Sequence, residues 1–192
     1  TLGGLNLVGL GTNLKFYVES GGAYTDITPL RATVTLTNPF TTQTGTNANI
    51  VTVTDASGGY IDGDFVTFTG SGDVGGVAAS VLNTEHQITY TSGNTYTITL
   101  PQNASSVATG GGTVTAKYQI NVGPTVSVPL TGWGSGSWGA GTWGFGGTSS
   151  YPLRIWSQAN FGEDLVFAQR GGAVYYWEAS TGLVNNRAVL LS

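Results

Sequence analysis

The chain is predicted to be all-β: a propeller-like antiparallel sheet body that carries an inserted small β-barrel. Three observations predict this. No 11-residue window holds an apolar stripe at i, i+3, i+4 and i+7 free of Gly, Pro or a run of β-branched residues, so helical signals are close to absent. Bulky apolar residues alternate with threonine in run after run, the period of a half-buried strand. Beyond residue 153 three or four short strands follow at close spacing, which builds one sheet of a propeller and none of its neighbours.

Taken in order, residues 15–18 (Lys-Phe-Tyr-Val), 23–27 (Ala-Tyr-Thr-Asp-Ile) and 31–36 (Arg-Ala-Thr-Val-Thr-Leu) are short and rich in β-branched and aromatic residues. Gly-Gly and Thr-Pro punctuate them, so they are expected to form a meander. Residues 50–54, 65–69, 87–90 and 95–100 alternate apolar residues with threonine, and 113–122 repeat the pattern at greater length. Ser-Gly-Asn-Thr at 92–95 marks a tight hairpin, while Asp-Ala-Ser-Gly-Gly at 55–59 and Ser-Gly-Asp-Val-Gly-Gly at 71–76 supply the positive-φ positions of wider loops. Residues 48–100 therefore form a compact antiparallel unit, with linker-like stretches at 41–49 and 104–112 on either side. The expected organisation is a body of residues 1–40 and 113–192, with 41–112 inserted. In the last part, strands are expected at 153–156, 165–169, 173–177 and 187–191.

Composition narrows the function. Charged residues make up 8% of the 192, and ten acidic against six basic residues give a net charge of −4. That is the wrong sign for a protein that gains affinity by neutralising phosphates. Without cysteine there is neither a disulfide nor a thiolate metal site. No apolar run approaches the roughly 20 residues of a membrane helix, and the first residues, Thr-Leu-Gly-Gly, lack the regions of a signal peptide. The chain contains no methionine and is expected to be a piece of a longer polypeptide.

No catalytic constellation emerges. His86 is the lone histidine, and Gly-Ser-Gly-Ser at 134–137 lacks the strand-turn-helix setting of a nucleophile elbow. Asp55, Asp62, Asp64 and Asp73, and the pair Glu163 and Asp164, are the carboxylate clusters. Calcium and glycosidase sites use such groups, but Asp beside Gly is also the ordinary composition of turns, and turn structure is the expectation here. No catalytic, cofactor or metal residues are assigned.

The remaining candidates are Trp133, Trp138 and Trp143, spaced by five in a stretch otherwise made mostly of Gly, Ser and Thr. Glycine loses the most backbone entropy on ordering, so such a segment holds one shape when its tryptophans are clamped by something larger. Five-residue spacing sends neighbours to opposite sides of an extended strand, leaving only Trp133 and Trp143 on one face. An anchor against the β body or another subunit is the reading adopted; a sugar-stacking platform is the alternative. Trp156 and Trp177 are expected to be core.

Residues 11–31 (Gly-Thr-Asn-Leu-Lys-Phe-Tyr-Val-Glu-Ser-Gly-Gly-Ala-Tyr-Thr-Asp-Ile-Thr-Pro-Leu-Arg), the Trp-Gly repeat of 133–147, and residues 153–167 (Leu-Arg-Ile-Trp-Ser-Gln-Ala-Asn-Phe-Gly-Glu-Asp-Leu-Val-Phe) together resemble the N-terminal part of tail nozzle or tubular tail proteins of short-tailed bacteriophages. The resemblance covers roughly residues 11–36 and 117–191. Residues 49–100 are similar to the small β-barrel named after the first catalytic cysteine half-domain of ubiquitin-activating enzymes, through 50–55, 63–70, Leu82, Asn83 and 94–100. No ubiquitin chemistry follows, since that module supplies no catalytic cysteine. The resemblance implies a structural, non-enzymatic virion protein in the phage tail. It implies a homo-oligomeric ring, contacts with neighbouring tail proteins, transient passage of DNA without specific binding, no membrane span and no cofactor. A carbohydrate-binding or host-adhesion tail module is the alternative.

Overall fold

The computed structural model describes residues 6–57, 60–122, 154–183 and 186–191, with 90–92 described through their backbone alone. Among them the chain is all-β: fifteen strands, one four-residue helix α1 (Ala79–Leu82) and two 3-10 turns. It divides into two compact units, residues 30–120 and residues 1–29 with 121–192.

The first sheet is an antiparallel meander of β1 (Val8–Gly11), β2 (Phe16–Ser20) and β3 (Ala23–Asp26). Ser20 pairs with Ala23 across Gly21 and Gly22, whose φ values of 60° and 88° meet the two positive-φ positions of a type I′ hairpin. Phe16 and Val18 are buried on one face, opposite Gly11 and Gly9 of β1, while Val8 and Leu10 share the other face with Tyr17 and Glu19. The sequence reading misses β1 because Val-Gly-Leu-Gly has little strand propensity of its own.

Residues 30–120 form the barrel-like unit from β4 (Leu30–Thr37), β5 (Phe40–Thr41), β6 (Ile50–Thr54), β7 (Phe65–Thr69), β8 (Glu85–Ser92), β9 (Thr95–Thr99), β10 (Thr109–Gly110) and β11 (Thr113–Gln119), in the order β10-β5-β6-β9-β8-β7-β11-β4. Two corners roll the sheet up. β8 pairs with β7 through residues 85–87 and with β9 from Ile88 onward. β4 and β5 are one run of chain bent at Asn38 (φ 47°) and Pro39, pairing first with β11 and then with β6. Period-two alternation sends Val51, Val53, Val66, Phe68, Ile98 and Val114 inward to a single core. Threonines face out, and Thr109, Thr41, Thr52, Thr97 and Thr89 stand in one cross-strand row.

The unit boundaries differ from those expected at 40/41 and 112/113. β4 and β11 pair from Thr113↔Thr37 to Gln119↔Leu30, and β11 also pairs with β7, so both strands belong to the barrel. The polar stretch 41–49 is inside this unit, carrying the end of β5 and a 3-10 turn at Gly45–Asn47. The expected three-strand meander likewise loses its third member, because Ala32, Val34 and Leu36 pack on the barrel core.

The last sheet is an antiparallel meander of β12 (Trp156–Phe161), β13 (Asp164–Gln169), β14 (Val174–Trp177) and β15 (Val189–Leu190). Its first strand begins where the expected one, 153–156, would end. The hairpin is set by Gly162 at φ 67°, with Phe161 paired to Asp164, a geometry the bare run of apolar residues does not disclose. The sheet packs on β1–β3: Phe16 stacks on Phe167 at 4.2 Å between ring centroids and meets Trp156 edge-on at 5.1 Å. The described residues of this unit thus form a two-layer sandwich, with a single four-stranded sheet where the sequence led us to expect a propeller-like body.

Candidate functional site

Trp133, Trp138 and Trp143 lie outside the described residues. The sequence-flagged carboxylates are engaged in the fold. Asp55 is buried: its Oδ2 accepts the Tyr118 hydroxyl at 2.6 Å and its Oδ1 accepts the Ser57 amide at 2.8 Å and the Ser57 hydroxyl. Tyr96 and Tyr118 hydroxyls are 2.8 Å apart; since Tyr118 gives its proton to Asp55, Tyr96 donates to Tyr118. Burial above all pushes both phenols well above their ordinary range. The network ties the 55–57 turn to β9 and β11 across the core.

Asp64, also buried, accepts the Ile61 amide and Arg31 Nη2, each at 2.9 Å, and the Arg31 guanidinium lies 5.8 Å from the Tyr118 ring centroid. Asp73 accepts the Ala79 amide at 2.7 Å, and Asp62 is an exposed turn residue. His86 is buried, with Nε2 3.1 Å from Thr84 Oγ1 and 3.2 Å from the Leu82 carbonyl; burial holds its pKa below the usual imidazole value. These side chains do not converge on a shared site. Among the described residues there is no group of three or more His, Cys, Asp or Glu that could hold a metal ion, and no helix long and apolar enough to cross a membrane.

The motif at 153–161 acquires a physical role in the unit of residues 1–29 and 121–192. Arg154, Trp156 and Gln158 alternate along one face and each donates to a backbone carbonyl of the opposite layer: Arg154 Nε to Asn13 at 3.3 Å, Trp156 Nε1 to Thr12 at 2.7 Å, Gln158 Nε2 to Gly9 at 3.2 Å. A Cβ on Gly11 would overlap the Trp156 indole, so glycine is required there for the approach, whereas one on Gly9 would meet the flexible end of Gln158. Asp26 closes the other end. It accepts Arg187 at 2.7 Å, Lys15 at 3.1 Å and the Thr28 hydroxyl at 2.6 Å, and Ala188 donates to the Ile27 carbonyl. Burial alone would raise the Asp26 pKa; the Thr28 hydrogen bonds and the two cations outweigh it and hold the carboxyl below its usual range.

The feature left without a role inside the unit is the outer face of the four-stranded sheet. Strand pairing places Phe167, Tyr175 and Trp177 on the buried face, and Ala159, Phe161, Val166, Ala168, Val174 and Val189 on the other together with Ser157, Asp164 and Tyr176. The second face is therefore mixed, an apolar patch around Phe161, Val174 and Val189 beside the Asp164–Tyr176 hydrogen bond. The signal was present in the sequence as the unbroken apolar runs 165–168 and 188–191, which do not alternate. Asp164, at the rim of this face, accepts the Tyr176 hydroxyl and the Ala179 amide. The Tyr176 hydrogen bond lowers the carboxyl's pKa and pushes the phenol up to about 12.

Among the described residues the chain is all-β, and the outer face of its four-stranded sheet is exposed at Phe161, Val174 and Val189. No family model matches the chain, and no curated protein matches it. Among solved structures it is similar to the phage phi92 endosialidase, at 13% identity and a TM-score of 0.37; the alignment covers 100% of this chain and 30% of that one. The chain thus spans less than a third of that protein's length, and a likeness of this level assigns no residue a role.

Proposed function

We propose that the chain is a structural, non-enzymatic protein of a bacteriophage tail, a nozzle or tube component that assembles with copies of itself and with neighbouring tail proteins around the path of the genome. The observation that carries the assembly reading is the apolar patch on the outer face of the four-stranded sheet. Exposed large apolar side chains gathered on one sheet face, here Phe161, Val174 and Val189, favour an interaction surface. The tail assignment itself draws on the sequence resemblance of residues 11–36 and 117–191. An acidic, sparsely charged surface suits a conduit, since phosphates passing it are repelled and do not stick. Trp133, Trp138 and Trp143 take the role of anchors in this reading. Negative-stain electron microscopy of the purified chain tests it: closed rings or short tubes are expected. A dispersed monomer whose tryptophan fluorescence is quenched by host glycans would replace it with the adhesion-module reading.

A further inference from the structure

We draw no further inference here: the strongest candidate, the edge of β4 that faces away from β11, unpaired among the described residues and with Ala32, Val34 and Leu36 only partly buried along it, carries nothing because nothing in the structure shows what covers it.

Discussion

Replacing Tyr118 by Phe tests the network that closes the barrel core. The hydroxyl donates to the buried Asp55 at 2.6 Å and stands 2.8 Å from the Tyr96 hydroxyl, so its removal strands two groups at once. A hydrogen bond to a carboxylate contributes about 1.5–3 kcal/mol, and a buried hydroxyl left without its acceptor costs about 1–3 kcal/mol more. Tyr118→Phe should therefore destabilise the barrel by about 3 kcal/mol or more, and Tyr96→Phe, which leaves the Asp55 bond in place, by about 1 kcal/mol. For a unit of this size the first loss lowers Tm by about 12 °C or more. The assay can be made specific, because none of the five tryptophans lies in residues 30–120. Tryptophan fluorescence reports the rest of the chain, so a thermal transition seen by far-ultraviolet circular dichroism and not by tryptophan fluorescence belongs to the barrel. If Tyr118→Phe costs no more than Tyr96→Phe, Asp55 is not held by Tyr118 and the account of the core is wrong.

Three further outcomes are expected. Residues 30–120 expressed alone should give a dispersed amide spectrum, whereas 48–100, the compact unit read from the sequence, should not, because it lacks β4, β5 and β11 and hence Phe40, Val114, Ala116 and Tyr118 from the core. Gly11→Ala should cost about 1–3 kcal/mol in chemical denaturation followed by tryptophan fluorescence, since the Trp156 ring it meets is held by Thr12 and Phe16; Gly9→Ala should cost less, because the Gln158 amide can swing aside. Asp26 has a folded pKa below its unfolded value of about 3.9, so its stabilisation is complete above that pH and is lost as pH falls through the folded value. Asp26→Asn should be less stable at neutral pH and should lose less stability than wild type on acidification below about pH 4, as read by urea titrations across that range; parallel acid limbs would refute the assignment.

The alternation of threonine with Val, Ile, Phe and Tyr was sufficient to locate β6, β7 and β9 at nearly their observed bounds, because a half-buried strand imposes its period on the chain directly. Ser-Gly-Asn-Thr at 92–95 likewise marked its hairpin, since Gly93 at φ 58° is a local requirement. The unbroken apolar runs at 165–168 and 188–191 are legible too, but the sequence reading takes them only as strands and not as a second apolar patch. Other features are not local. That β4 belongs with the barrel rather than with β1–β3 depends on its pairing with β11, some eighty residues away in sequence, and a strand's own composition does not name its partner. β1 pairs with β2, and what its glycines admit, the Trp156 ring at Gly11 and the Gln158 amide at Gly9, is set by residues roughly 145 positions further on. The carboxylates read as turn formers do form turns at Asp55 and Asp64. Only the folded chain shows that they also accept Tyr118 and Arg31, because burial and long-range hydrogen bonding are properties of packing. The sequence by itself determined the all-β class, the strand periods and the tight turns. The tertiary structure decided which strands share a sheet, where the units divide and which apolar side chains stand exposed among the described residues.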